Sequence, residues 1–497
     1  MEFLNNIHWT ALLDVLKYDS ANPLLFNTGL FFVLFTIVAS LYYALRNART
    51  LRMIVVILFS LFFYYKSSAE YCLILVATVL ADYCLGLLMG RAEKSWLRGL
   101  ILFANIAINV GMLIYFKYLN LLIDTVNNFS SASFDTLDIV LPAGISFFAF
   151  RSISYLTDIY RREIEPCRSL LDYTFFLTFF PPLLMGPVVR AKDMLPQIKA
   201  SNPATRLMVS QGFYLIMAGL IKKVVIADFI SGNFVDRVFD NPALYSGFEN
   251  LMAIYGFFIQ LYCDFSGYSD MAIGLALLLG FRFKDNFDAP FKSQSPTEFW
   301  RRWHISLSFW LRDYIYIPLG GNRKGRFRTN LNLLITMVLG GLWHGASWMF
   351  VIWGFLQGIL LVVQKELSHL FPRLAQKGDG TWWRSAINMF ITFNLIAITM
   401  LFFKTQSMEH VYDMAHQVFT DFHLNVAPQF VYGYFVIILA MLLGYFMHLC
   451  PKNWVKFGLN KYNALPIFFQ AILFAVVVFV IIQVRQSDIV PFIYLQY

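Results

Sequence analysis

Apolar runs separated by short polar loops fill most of the chain, and their lengths decide what the fold can be. A helix crossing about 30 Å of hydrocarbon needs roughly 17–25 residues. Runs near 24–45, 70–90, 98–123, 207–230, 250–281, 385–404, 430–449 and 466–484 meet that length. Shorter or interrupted runs fall near 51–65, 139–158, 170–189, 299–319 and 331–364. The pattern predicts an all-α polytopic membrane protein with about 10–13 transmembrane helices. The interrupted runs carry the most information. Non-helical backbone survives at membrane depth only where protein or a water-filled cavity covers it.

Basic loops set the orientation. Arg46, Arg49 and Arg52 form one, Arg91, Lys94 and Arg98 a second, and Arg161, Arg162 and Arg168 a third. By the positive-inside rule these face the cytoplasm, and the acidic stretch 124–138, with Asp124, Asp135 and Asp138 and no Lys or Arg, faces outward. The N-terminus is then outside. Residues 170–189 break the alternation, because both flanks are basic and Pro181-Pro182 interrupts the middle. A re-entrant segment fits that run better than a crossing. The run 299–319 is expected to behave similarly, since Arg301, Arg302 and Arg312 lie inside it and four more cations follow.

Composition agrees with the bilayer: 58% of the 497 residues are hydrophobic and only 14% charged. The formal charge of +9 is spread over short loops, which suits an anionic lipid surface better than a nucleic acid. The five cysteines show no metal-ligand spacing, so no metal site is expected. No cleavable signal is apparent at the N-terminus, and the first span is expected to act as an anchor. No long polar stretch divides the chain, so residues 24–497 are expected to form a single membrane domain after an extension over residues 1–23.

Two histidines sit inside dense blocks of tryptophan, glycine and arginine. His344 lies in MVLGGLWHGASWMF after about fourteen mostly apolar residues, a rise that brings it near mid-membrane. A lone histidine in an apolar helix is ordinarily a satisfied core residue, yet an ionisable group at that depth commonly lines a cavity, and neutral imidazole is a competent general base. His304 lies in FWRRWHISLSFWLRDYIYIPLGG, where helical spacing puts Trp300, His304, Leu307 and Leu311 on one stripe and Arg301, Ser308 and Arg312 on the next. Those arginines suit lipid phosphates or the phosphates of a thioester carrier. Asp264 and Asp270, in QLYCDFSGYSDMAIG, are read first as carboxylates satisfied by neighbouring helices that pack through Gly267 and Gly274. Soluble hydrolase, Walker, dinucleotide and zinc-protease motifs do not occur.

Taken together, the segments LPAGISFFAFRSISYLTDIYR (141–161), TFFPPLLMGPVVR (178–190), QLYCDFSGYSDMAIG (260–274), FWRRWHISLSFWLRDYIYIPLGG (299–321) and GGLWHGASW (340–348) resemble the membrane-bound O-acyltransferases, in particular their alginate O-acetyltransferase-like bacterial branch. Even the ending PFIYLQY is similar. Two departures stand out: a second proline at Pro181-Pro182, and Arg151 where glutamine is commoner. The resemblance implies a ring of helices with re-entrant segments around a central tunnel, in a bacterial cytoplasmic membrane. It makes His344 and His304 the candidate catalytic residues, with Trp300, Arg301, Trp303, Arg312, Trp343 and Asp264 as candidate substrate-binding residues.

On that reading no cofactor is tightly bound. An acyl thioester, acetyl-CoA or an acyl carrier protein, is the co-substrate, and the acyl group passes to a hydroxyl of an envelope polysaccharide or of an extracytoplasmic relay or esterase-like partner. Two rival readings are D-alanyl transfer to teichoic acid and a transporter or flippase for a lipid-linked glycan, because broken helices and midplane ionisable residues also describe transporters.

Overall fold

The computed structural model describes residues 15–19, 22–130, 133–371 and 381–484. Most of the extension 1–23 and the terminal PFIYLQY lie outside the described residues. Every regular element among the described residues is a helix. The chain runs through α1 (Gly29–Ala44), α2 (Arg49–Ser68), α3 (Cys72–Arg91), α4 (Ser95–Leu113), α5 (Leu119–Phe129), α6 (Ile145–Tyr160), α7 (Leu170–Thr178), α8 (Ala191–Ala200), α9 (Arg206–Leu220) and α10 (Gly247–Leu278). It continues through α11 (Pro296–Arg302), α12 (Ile305–Leu311), α13 (Gly325–His344), α14 (Trp348–Leu370), α15 (Trp382–Lys404) and α16 (Met408–Thr420). It ends with α17 (Ala427–Gly433), α18 (Phe435–Leu449), α19 (Lys452–Ala464) and α20 (Ile467–Val484).

Four stretches among the described residues are long and apolar enough to cross a membrane: Arg49–Arg91, Ser95–Phe129, Trp348–Leu370 and Trp382–Lys404. The number rises to six if the bent pairs ending in α18 and α20 each count as one span. The protein is thus an all-α polytopic membrane protein. Apolar side chains such as Leu58, Phe103, Phe390 and Phe446 are exposed on its perimeter, where lipid replaces water as solvent. Within Arg49–Arg91 the chain leaves helical geometry at Ala69, whose φ is 47°. At about 1.5 Å per residue the two halves together are far longer than one bilayer core.

Three expectations from hydropathy are corrected. The run 51–65, grouped with the shorter or interrupted ones, is the unbroken 20-residue α2. The run 430–449, read as one span, is split at Tyr434 into segments that meet at 91°. Hydropathy averages over such a bend because both arms are apolar. The stripe drawn through 299–319 does not exist as such: the helix stops at Arg302, turns at His304 and restarts at Ile305, so residues on either side do not share a face.

The expected re-entrant run 170–189 is a half-helix. α7 ends at Thr178, and the non-helical chain beyond it to Arg190 is buried throughout. Irregular backbone is covered by protein here, as the absence of water at that depth requires. Arg151, on α6, is fully buried and donates to the Phe176 carbonyl near the end of α7, where unsatisfied carbonyls collect.

The longest helix, α10, forms the spine. A capping box between Ser246 and Glu249 starts it, and 26 of its 32 residues are buried. It packs against α9 through paired glycines: a Cβ on Gly267 would stand 2.8 Å from the Gly219 carbonyl oxygen, and one on Gly274 2.7 Å from that of Gly212. Only glycine permits so close an approach, the usual device of membrane helix pairs. The two spine carboxylates are satisfied across the same interface by a π-helical turn, Ile221–Asp228, that continues α9. Asp264 pairs with Lys223 at 2.5 Å and Asp270 with Lys222 at 2.7 Å, while Lys223 also meets Asp228 at 2.8 Å.

Candidate active site

His344 is the last residue of α13, and the three residues Gly345–Ser347 turn the chain into α14. Small residues make that hairpin possible. A Cβ on Gly341 would fall 2.2 Å from the Phe350 carbonyl oxygen, and one on Gly354 2.4 Å from that of Met337. The end of α13 leaves carbonyls without helical partners, and a second π-helical turn, Ile114–Tyr118, supplies donors for them. The Lys117 Nζ donates to the carbonyls of Trp343 (2.6 Å) and His344 (3.3 Å), and the Tyr118 hydroxyl donates to that of Leu342 (2.7 Å). A cation at a helix C-terminus is also favoured by the helix dipole. The imidazole of His344 is therefore fixed from the backbone side, and its ring centroid lies 5.0 Å from Trp343, 5.1 Å from Trp353 and 5.2 Å from Phe403.

His304 is placed differently. It joins α11 to α12 with φ 42° and ψ 56°, a left-handed conformation uncommon for a residue with a Cβ. It is fully buried. Asn286 holds the turn, since its carbonyl accepts from the Ile305 N–H at 2.9 Å, and its side-chain Oδ1 faces His304 Nδ1 (3.2 Å), the Ser306 N–H (3.2 Å) and the Ser306 hydroxyl (2.8 Å). The Trp343 ring, 5.9 Å from His304, touches both imidazoles. Two histidines forty positions apart thus flank one indole.

The other sequence-predicted residues divide. Trp300 donates from Nε1 to Gln357 Oε1 (3.1 Å) and packs 5.9 Å from Trp353, so it backs one of the rings packed on His344. Trp303 is buried, stacked on Phe299 and set edge-on to Phe287, one ring removed from His304. Arg301 and Arg312, expected on one cationic face, are parted by the break at His304. Arg301 lines a groove with Glu298, Gln364 and Asn388. Arg312 lines a different cavity of about 500 Å³, together with Arg190, Lys192, Arg282, Lys284 and Ser306. Asp264 is held in its ion pair with Lys223.

Sequence reasoning passed over Asn286 and Lys117. Asn286 sits in a short polar loop, DNFDAP, eighteen positions before His304, and Lys117 is one cation in an apolar run. The lysine alone carried a signal, as a charge inside an apparent span.

Residues 167–405 match the MBOAT, membrane-bound O-acyltransferase family. Over 395 residues, covering 78% of each chain, the protein is 39% identical to the probable alginate O-acetylase AlgI of Pseudomonas putida. The chain belongs to the membrane-bound O-acyltransferase family. Other members similar to it include the probable alginate O-acetylase AlgI of Pseudomonas aeruginosa, 37% identical over 80% of this chain and 75% of the relative. The peptidoglycan O-acetyltransferase of Helicobacter pylori is 35% identical over 78% of each. This membrane-bound O-acyltransferase is accordingly a multi-pass membrane enzyme, and the family match contains both histidines and the indole between them.

Proposed function

We propose that this O-acyltransferase moves an acetyl group from a cytoplasmic thioester to a hydroxyl of an envelope polysaccharide, directly or through an extracytoplasmic relay protein. The activities for which its relatives are named, alginate and peptidoglycan O-acetylation, support acetyl and a polymer. One structural observation carries the mechanism: His344 and His304 both lie against Trp343, and Ser306, which is bonded to the anchor of His304, also lines the cavity in which Arg190, Lys192, Arg282, Lys284 and Arg312 outnumber Asp193, Asp285 and Asp313. Guanidinium and ammonium groups suit the phosphates of a coenzyme or a carrier's prosthetic arm, so this cavity is the proposed donor entrance.

In the proposed reaction the acceptor hydroxyl gives its proton to the His344 imidazole as its oxygen attacks the thioester carbonyl carbon. The carbon–sulfur bond then breaks, and the departing thiolate takes the proton back from the imidazolium. His304 orients a reactant by hydrogen bonding. The enzyme is assigned to the bacterial cytoplasmic membrane with its N-terminus outside, the arrangement in which the basic loops meet the cytoplasmic donor.

Purified protein in lipid nanodiscs, given acetyl-CoA labelled in the acetyl group and an acceptor oligosaccharide, is expected to form labelled ester without an ion gradient. Movement of a lipid-linked glycan that requires a gradient and leaves no covalent product would instead favour the transporter reading.

A further inference from the structure

The surroundings of His304 specify which of its nitrogens carries the proton. Asn286 is 2% exposed, and its side-chain amide has one oxygen and one NH2 group to distribute. The Ser306 backbone N–H can only donate, so the atom 3.2 Å from it must be the amide oxygen. The opposite end agrees, since Nδ2 points at the Ser269 hydroxyl, 3.1 Å away. His304 Nδ1 lies 3.2 Å from that same oxygen, and two acceptors cannot bond to each other. Nδ1 therefore bears the hydrogen, and in neutral imidazole Nε2 then carries the lone pair. That Nε2 is buried and has no hydrogen-bond partner among the described residues.

We infer that Asn286 is a positioning residue that fixes His304 in the Nδ1–H form, so that Nε2 can only accept: it holds a donor group of the acceptor substrate other than the hydroxyl that gives its proton to His344, and it does not donate to the thioester carbonyl. The inference rests on the acyl-transfer reading for its consequence, although the tautomer itself does not depend on it. Ser306 completes the device: its hydroxyl donates to Asn286 Oδ1 at 2.8 Å and accepts from the Val188 N–H at 2.9 Å, tying the latch to the buried non-helical chain after α7.

The experiment combines spectroscopy with conservative rescue. Solid-state ¹⁵N spectra of histidine-labelled protein, assigned by loss of the signal in His304→Ala, are expected to show Nδ1 protonated and Nε2 bare. A protonated Nε2 with bare Nδ1 overturns the inference, whatever the protein catalyses. In the transfer assay, Asn286→Leu is expected to lower kcat by about 10²-fold with donor KM little changed, the scale of a misplaced reactant. Asn286→Asp is expected to recover most of that loss, because a carboxylate still accepts from His304, Ser306 and a rotated Ser269 hydroxyl. Ser269→Ala removes the acceptor of Asn286 Nδ2 while Oδ1 keeps its donors, so it is expected to lower kcat less than Asn286→Leu does. Leu and Asp variants that are folded and equally inactive, or a Leu variant as active as wild type, would refute the positioning role. Failure of wild-type protein to transfer acetyl while the Nδ1–H spectrum is present would count against the acyl-transfer reading and leave the tautomer standing.

Discussion

The two histidines show two ways of holding an imidazole inside a membrane protein. His344 ends a regular 20-residue helix, and its position follows from the hairpin, from glycines that bring α13 against α14, and from Lys117 and Tyr118 bonded to the last carbonyls. His304 sits where helix fails, in a left-handed turn between two seven-residue helices, held by one amide side chain. The first is placed by packing and helix-end chemistry, so damage to it should spread along the hairpin. The second is placed by a polar latch, so damage should be local and should depend on hydrogen-bond character more than on volume.

Removing each placement separately tests that contrast. The largest effect is expected from His344→Ala, which should lower transfer by at least about 10²-fold while the protein inserts and purifies normally; transfer at the wild-type rate would dismiss His344 as the base. Next comes Gly341→Ala, which drives a methyl into the Phe350 carbonyl and should destabilise the hairpin by about 1–3 kcal/mol, read as a lower Tm together with reduced kcat. An unchanged Tm would mean that the helices are free to separate and that close packing does not set the histidine.

Lys117→Met is expected to act more narrowly. It strands the carbonyls of Trp343 and His344, at a cost of about 1–3 kcal/mol if water does not replace the ammonium, and should reduce kcat several-fold with little change in donor KM. A change confined to KM would place the lysine on the donor path instead. The smallest effect is expected at the cavity rim, from Asp313→Asn. Asp313 bonds Arg190 at 2.7 Å and Arg312 at 2.7 Å, orienting two of the proposed phosphate-binding cations. Donor KM should rise two- to five-fold, on the order of the worth of a partly exposed ion pair, with kcat unchanged. Burial alone would raise this carboxyl, but the hydrogen bonds and charges of Arg312 and Arg190 outweigh it and hold it below its ordinary value. A carboxyl held low keeps its contribution above the ordinary carboxylate range and loses it only as pH falls through the lowered value. Donor KM should therefore be flat from about pH 5 to 8 so far as Asp313 is concerned, and a rise within that window would show that another group controls the rim.

What the sequence determined by itself was the solvent and some of the runs that are not plain spans. Run lengths and low charge demanded a bundle of membrane helices, Pro181-Pro182 marked 170–189 as interrupted, and charge density made a plain span through 299–319 improbable, because a bilayer core punishes unsatisfied backbone and unpaired charge wherever they occur. Gly267 and Gly274 were legible as a packing stripe for the same reason, and His344 and His304 as ionisable groups set in dense aromatic blocks.

Partnership was decided only in the tertiary structure. That Asp264 answers Lys223, that one indole lies between two imidazoles, that Arg301 and Arg312 face different cavities, and that Asn286 and Lys117 grip the two histidines all depend on contacts between residues tens to hundreds of positions apart. Hydropathy and helical periodicity describe each residue against its near neighbours. A hydrogen bond between distant elements leaves no trace in that pattern, and one left-handed residue at His304 is enough to rotate everything after it onto another face.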